Sequence, residues 1–322
     1  MTSAVRFSAG YARVCALRSR LWTPLDRALV LRAGVEPDGR AVSGDPDVVF
    51  PPLVRWYAIV MKMYPAARPL VTWMLRLHEI ENLKLLWRAA RRGRPPIAAC
   101  WRPLEPFGTV TFQPRASTPE ELVHRLARTP YGAIARTLRR SHPADLPAAE
   151  IGLDRWAWTG LYDEAMRLPA REAAARRLVL LLIREHDLDL LRRGTSFGLD
   201  ADLVAKSTVV LSRECRTSRL AAVASWQPSD GPLSRVLPPR VARLSNAAAG
   251  WDDVMLGVRR ARLRACRRAF VGWPFELAPA IAALLLRDAQ ARAAMSLAAA
   301  RGTGAGAHAV LPVALAASAL ET

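Results

Sequence analysis

The chain has 322 residues, of which 51% are hydrophobic, so it can form two or three domains with a sizeable buried core. Its net charge of +19 comes from 47 basic against 28 acidic residues. This charge could attract nucleic acid, an anionic membrane or an acidic protein, or it could reflect an arginine bias without functional meaning. The four cysteines are scattered without a Cys-x-x-Cys pair, which indicates neither a disulfide framework nor a zinc knuckle and suits a reducing cytoplasm.

The composition favours helix. Alanine, leucine and arginine dominate, whereas strand-like alternation is confined to short pieces such as residues 108–112, so the predicted fold class is all-α. Apolar runs at residues 178–183 and 281–286 are too short to span a bilayer, and residues 308–320 are interrupted by Pro312. The N-terminal segment lacks a continuous apolar stretch, so we expect no secretory signal. Any membrane contact is expected to be peripheral.

The N-terminal part of the chain predicts two helices and a loop. The first helix is expected over residues 10–21. Thr23, Pro24 and Asp26 then predict a helix start. Thr23 can cap free backbone N–H groups, Pro24 suits the first helical position, and Asp26 complements the helix dipole. This second helix is expected to end at Gly34. Residues 35–52 are rich in Gly, Pro and Asp without periodicity and predict a loop.

Residues 56–92 predict a helical region that is broken near Pro65 and Pro69 and ended by Gly93. Its second part places apolar residues on one face, namely Ile80, Leu83, Leu86 and Trp87. Residues 118–121 form a capping box, which predicts a helix ending near residues 129–131 and a further one to residue 140. Another helix is expected over residues 150–167. The basic stretch 259–268 has apolar residues at helical spacing and predicts a solvated helix face.

Two more long helices are predicted at residues 170–193, ending at Gly194, and 276–301, ending at Gly302. With the helix that ends at Gly93, they share one pattern of an apolar run, a charged cluster, a second apolar turn and Arg before Gly. Glu79, Glu185 and Asp288 within them are 106 and 103 residues apart. This even spacing predicts three similar helical modules, approximately residues 1–110, 111–215 and 216–322.

The sequence predicts no catalytic, cofactor-binding or metal-binding residues. An ATP-binding loop requires glycine amides and a lysine, and none of the chain's three lysines follows a glycine. Residues 302–306 are rich in glycine but follow a helix C-terminus, where the dipole repels anions, and predict a connector. His78 and Glu79 resemble the start of a zinc-protease motif, yet Asn82 stands where the second histidine is needed.

The order of short motifs along almost the whole chain resembles the C-type central-stalk subunit of bacterial and archaeal V/A-type ATPases, known as the d-type subunit in eukaryotic vacuolar ATPases. The motifs are an acid before Asn-Leu-Lys with a following Arg, a Pro-x-Gly turn, a Thr-x-Tyr helix end, an acid before Leu-Asp, and a second acidic-Leu segment. The matching residues are Glu81, Asn82, Leu83, Lys84, Arg88, Gly108, Tyr131, Leu153, Asp154 and Asp187. Asp189 departs from an expected Asn, and Gln290 and Ala293 depart from the usual Glu and Asn.

The resemblance implies three similar modules around a pseudo-threefold axis that form a funnel. Such a protein sits on the cytoplasmic mouth of the membrane rotor ring and accepts the rotor shaft in its cavity. It couples ATP turnover to proton or sodium transport without binding nucleotide or cofactor, and it is a monomer within a hetero-oligomeric complex. The matching residues are expected to be structural, fixing helix ends and neighbouring helices.

The alternative function is a basic helical scaffold or a nucleic-acid-binding protein unrelated to ATPases. Common solenoids have units of about 20 to 50 residues, shorter than the spacing seen here. Nucleic-acid binding favours aromatic side chains on a basic face, whereas Trp73, Trp87 and Trp156 lie within apolar helical stretches. We therefore expect protein partners, the shaft and the ring, and no nucleic acid.

Overall fold

The computed structural model describes residues 12–21, 45–110, 117–140, 146–243, 250–272 and 276–302. Within these segments all longer elements are α-helices and none is a strand, which confirms the all-α fold class. In chain order they are α1 (residues 12–18), α2 (Pro46–Met63), α3 (Arg68–Arg92), α4 (Pro119–Leu126), α5 (Gly132–Arg140), α6 (Leu146–Arg167), α7 (Ala173–Phe197), α8 (Ala201–Ser207), α9 (Leu211–Glu214), α10 (Thr217–Ala224), α11 (Pro239–Ala242), α12 (Trp251–Ala269) and α13 (Ala278–Gly302).

Helix α2 begins inside the segment that was expected to be a loop, so the loop prediction for residues 46–52 is wrong. The side chain of Asp45 caps the helix by accepting from the Asp47 N–H, and Pro46 occupies the first helical position. Pro51 and Pro52 lie within the helix. The helix tolerates both prolines because the burial of Phe50 and its apolar neighbours in the core offsets the hydrogen bonds that proline cannot donate. The predicted helix at residues 24–34 lies outside the described residues.

Several predicted helix ends are confirmed. The first helix is present at residues 12–18, and the region of residues 56–92 is broken by a 3₁₀ turn at Pro65–Ala67. Gly93 ends α3 with a φ of 59°, a left-handed conformation that glycine adopts without a Cβ clash. The capping box at Thr118 is formed, with the Glu121 N–H donating to the Thr118 hydroxyl at 3.2 Å.

Gly194 does not end α7, because the helix continues to Phe197 and ends at Gly198 with a φ of 60°. Gly194 instead permits close packing. A Cβ at this position would lie 3.1 Å from a methyl carbon of Val204 in α8. The glycine that the sequence presents as a helix terminator is therefore a contact point between two helices.

Six long helices form three antiparallel hairpins, α2–α3, α6–α7 and α12–α13. The first two hairpins turn through 3₁₀ segments at Pro65–Ala67 and Ala170–Glu172. Across hairpins, α3 packs on α6, α7 packs on α12, and α13 packs on α2. The second helix of each hairpin thus contacts the first helix of the next, and the third hairpin returns to the first.

The second helices of the hairpins, α3, α7 and α13, each contain 25 residues. They begin at Arg68, Ala173 and Ala278, at intervals of 105 residues. Corresponding positions in their N-terminal halves are buried in one apolar cluster, namely Leu70, Ala175 and Ala280, and Met74, Val179 and Leu284. The N-terminal halves of the three helices therefore share a common core.

Two smaller apolar clusters flank this common core. Helices α4 and α5 pack with α3 and α6 around Tyr131 and Leu153. Helices α8 to α11 pack with α7 and α12 around Leu188 and Leu220. None of the helices in the described segments is long and apolar enough to cross a membrane.

Candidate functional site: polar contacts between the long helices

Lys84 in α3 holds two carboxylates at the contact between α3 and α6. Its Nζ lies 2.6 Å from Glu81 Oε1 in the same helix and 2.9 Å from Asp154 Oδ1 in α6. The side chains of Lys84 and Asp154 are each 6% exposed, whereas that of Glu81 is 40% exposed. Arg193 of α7 approaches the other oxygen of Asp154 at 3.9 Å. The resemblance motifs of α3 and α6 therefore meet in one ion-pair cluster.

Burial and the ion pairs oppose each other in this cluster. Burial raises the pKa of Asp154 above its ordinary value, although Lys84 acts in the opposite direction. Burial would also raise the pKa of Glu81, but the charges of Lys84 and Arg102 outweigh it and lower this pKa to about 2. Asp154 and Glu81 in turn raise the pKa of Lys84 against the effect of burial. Lys84 is therefore charged and essential to the balance of the cluster.

Arg88 and Asn82 make two further contacts of α3. The Arg88 guanidinium donates two hydrogen bonds to Glu150 of α6, at 2.5 and 2.6 Å. The Asn82 amide is 1% exposed and pairs with the backbone of Arg102, donating to its carbonyl at 2.8 Å and accepting from its N–H at 2.9 Å. Asn82 thus fixes the chain after α3.

Glu79 holds the segment that follows the Pro-x-Gly turn, a role that the sequence did not reveal. Its carboxylate accepts from the N–H and hydroxyl of Thr109, from the N–H of Val110 at 2.7 Å, and from the hydroxyl of Tyr131. Gly108 precedes this segment, and a Cβ there would lie 3.2 Å from the Leu104 Cβ. Burial and the Glu79 charge raise the pKa of Tyr131 far above its ordinary value, so the phenol keeps its proton and donates a hydrogen bond to Glu79.

Asp187 lies away from the Lys84 cluster. Its side chain in α7 is fully buried and accepts from the backbone N–H groups of Val209, Val210 and Leu211 at 2.8, 2.7 and 2.9 Å. Burial raises its pKa to about 7, against the lowering effect of these three bonds. Asp187 therefore fixes the chain at the start of α9.

The two remaining matched residues are apolar. Leu153 is fully buried in the cluster between α3 and α6, and Leu83 is 1% exposed in the same cluster. Both positions belong to helix packing and carry no polar chemistry.

His78 connects α3 to α13, a contact that sequence reasoning missed. Its Nε2 lies 3.2 Å from Asp288 Oδ1, and Arg102 lies 3.1 Å from its Nδ1. Burial lowers the pKa of His78, so the ring is neutral, accepts from Arg102 at Nδ1 and faces the Asp288 carboxylate with Nε2. Asp288 is also paired with Arg292, which with His78 holds its pKa well below its ordinary value despite burial. The i, i+4 spacing of Asp288 and Arg292 indicates only the pair within α13.

Glu185 connects α7 to α12. Its two carboxylate oxygens lie 3.1 Å from Arg259 Nε and 2.7 Å from Arg262 Nε. Arg262 is 5% exposed, so the expectation of a solvated arginine face is wrong at this position. An arginine can lie in the core here because its charge is matched by a buried carboxylate.

The polar side chains at these contacts join helices or hold loop backbone. Among the described residues, no group of three or more His, Cys, Asp or Glu side chains is placed to bind a metal ion. The helix contacts α3–α6 and α7–α12 each carry an ion pair, and His78 of α3 lies against Asp288 of α13.

Comparison with known proteins adds the family. No curated protein matches the chain. The family model described as ATP synthase (C/AC39) subunit matches residues 52–301, which cover α3 to α12 completely and most of α2 and α13. Because this match spans well over half of the sequence, the chain belongs to the ATP synthase (C/AC39) subunit family.

Proposed function

We propose that the protein is the non-catalytic central-stalk adaptor of a V/A-type rotary ATPase. It links the rotor shaft to the membrane rotor ring and couples ATP turnover to proton or sodium transport. Family membership supports a place in such a complex. The cyclic packing of the three hairpins is the observation that carries the adaptor role, because a ring of equivalent units provides an axial seat for a shaft.

Three kinds of regular spacing support a pseudo-threefold arrangement of modules. The 25-residue helices begin 105 residues apart, and so do the 3₁₀ turns at Pro65–Ala67 and Ala170–Glu172. The helix-ending glycines Gly93 and Gly198 are also 105 residues apart. We therefore retain three modules, with approximate boundaries at residues 110 and 215, as part of the proposal.

The three 25-residue helices change character along their length. Their N-terminal halves share the apolar common core, whereas their C-terminal halves carry partly exposed charged side chains. Glu81, Arg193 and Arg292 are 40%, 35% and 48% exposed, one from each helix. We infer that the helices enclose a polar, water-filled opening beyond the common core, which is a funnel that accepts the shaft.

The matched residues support the rigidity that torque transmission requires. A rotating adaptor that yields at helix contacts would lose the coupling between shaft and ring. Lys84 and Asp154 fasten α3 to α6, and Asn82 and Asp187 fasten the chain that follows α3 and α7. We propose that these residues are structural and contact neither nucleotide nor transported ion.

The coupling role is tested by reconstituting the complex with and without the chain. Without it, the head should still hydrolyse ATP, but ion transport should be lost and should return when the chain is added back. The chain alone should hydrolyse no ATP. Ion transport at full rate without the chain would refute the adaptor function.

The partners are tested by pulling down the tagged chain at rising salt. Shaft and ring proteins should be recovered, and charge-dependent binding should weaken above about 0.15 M salt, where screening acts within about 8 Å. Recovery of nucleic acid in place of these proteins would refute the proposal and favour the basic-scaffold alternative.

A further inference from the structure

One end of the molecule combines exposed basic and exposed apolar side chains. We call it the junction end and define it by the connections between the helices of each hairpin, residues 62–68, 166–173 and 268–278 except the undescribed 273–275. These connections lie together. Glu172 Oε2 accepts from the Leu277 N–H at 2.8 Å, and the Glu172 charge raises the pKa of Tyr64, secondary to burial. All three connections therefore belong to one surface.

The exposed charges of the junction end are predominantly positive. Lys62, Arg68, Arg171 and Arg268 are exposed and come from all three connections. Of the two acidic residues described there, Glu172 is buried as a partner of the Leu277 N–H, and Glu276 is partly exposed. The first turns of α3, α7 and α13 contain no acidic residue, although acids usually occupy that position. The N-terminus of α3 thus adds positive potential to the basic side chains, whereas the Glu172 carboxylate lies at the starts of α7 and α13.

The opposite end of the hairpins carries exposed basic residues, Arg92 and Arg94, together with acidic ones. Acidic residues lie in the first turns of α2 and α12, at Asp47, Asp252 and Asp253. Asp200 and Asp202 follow the end of α7. The opposite end therefore has mixed charge, whereas the charged side chains exposed in the described part of the junction end are mainly basic.

Large apolar side chains are exposed on the same surface. Met166 is 46% exposed at the end of α6, and Val271 is 85% exposed after α12. The two positions are 105 residues apart and so correspond in the second and third hairpins. Two aromatic side chains of this end, Tyr64 and Phe270, are buried at 6% and 7% exposure and are not available to stack on bases.

We propose that the junction end docks on an anionic lipid surface, with Lys62, Arg68, Arg171 and Arg268 on phosphate headgroups and Met166 and Val271 between them. Basic residues attract anionic headgroups, and apolar side chains add affinity by leaving water at the headgroup boundary. Nucleic acid is the weaker candidate because it offers no apolar partner for Met166 and Val271. The inference does not depend on the proposed ATPase function.

The experiment measures binding of the purified full chain to vesicles of phosphatidylcholine with or without phosphatidylglycerol. The wild type should bind only the anionic vesicles. Changing Lys62, Arg68, Arg171 and Arg268 together to Gln should reduce affinity by up to roughly a thousandfold, because each basic residue at a membrane contributes about 1 kcal/mol. Changing Met166 and Val271 to Ser should reduce it by about tenfold or more while leaving the salt dependence unchanged.

The matched control changes four exposed arginines outside the junction end, Arg92, Arg94, Arg128 and Arg216, to Gln. It removes the same charge and should leave vesicle binding nearly unchanged. Equal losses in both sets, or no preference for anionic vesicles, would overturn the proposal. Full competition by duplex RNA together with wild-type binding of the Met166 and Val271 variant would assign the surface to general polyanion binding instead. Because the chain is tested alone, these outcomes are independent of assembly into the ATPase.

Discussion

Replacing Lys84 by Met tests whether the ion-pair cluster between α3 and α6 holds the fold. Lys84 and Asp154 have side chains only 6% exposed, and their atoms approach to 2.9 Å. Removing the ammonium group leaves the Asp154 carboxylate buried with Arg193 at 3.9 Å as its nearest cation. Breaking a buried pair from one side costs about 3–5 kcal/mol, so we expect a loss of this size. Glu81 contributes less, because its side chain can turn towards water.

The measurement is urea unfolding followed by circular dichroism, comparing the midpoint and slope for each variant. Lys206→Met is the matched control, since Lys206 pairs with Asp202 at 3.7 Å but both side chains are about two-thirds exposed. It should cost less than about 1 kcal/mol. The double variant Lys84→Met with Asp154→Leu should recover much of the loss, because no buried charge is left unpaired. If Lys84→Met costs no more than Lys206→Met, the cluster does not stabilise the fold.

Four other substitutions test the remaining contacts. Gly160→Ala should destabilise by about 1–3 kcal/mol, because its Cβ would lie 2.3 Å from the Trp73 ring, and Trp73→Leu should relieve the loss. Asn82→Leu should lower stability by about 1–3 kcal/mol in thermal unfolding, and unchanged stability with lost partner binding would make it an interface residue. Asp187→Ala should cost about 3 kcal/mol or more in urea, with Asp187→Asn intermediate, because buried N–H groups lose their acceptor. Burial is the main cause that lowers the pKa of His186 to about 3, whereas a histidine in the unfolded chain titrates near about 6.5. As pH drops from about 6.5 towards 3, the stability of the wild type should therefore fall relative to that of His186→Phe. Parallel curves of stability against pH for the two proteins would contradict this.

The sequence correctly predicted helix ends that depend on neighbouring residues. The end of α3 at Gly93 and the capping box at Thr118 depend on residues within four positions of each other, and both formed as predicted. The start of α2 was missed because its prolines and Asp45 suggest a loop until the burial of Phe50 is known. Gly194 was misread for a similar reason, since glycine permits both helix termination and close packing.

For these polar contacts the sequence indicated only one of the two partners. Motif resemblance selected Asn82, Lys84 and Asp187, but the groups that they bind lie elsewhere in the chain. Tyr131 is 52 residues from Glu79, and no helical periodicity connects them. His78 and Asp288 belong to the first and last hairpins, so their contact exists only because the third hairpin packs on the first. Sequence spacing cannot indicate such a pair before the packing is known.

The least faithful of the three long helices is the one that completes the cyclic packing. At positions 105 residues apart, α3 has Asn82, α7 has Asp187 and α13 has Arg292. The first two bind backbone that follows their own helix, at residues 102 and 209–211. Arg292 instead pairs with Asp288, which contacts His78 of the first hairpin. In the proposed threefold arrangement α13 completes the ring by contacting the first hairpin. Its polar residues therefore have a different partner, which accounts for their divergence from the shared pattern.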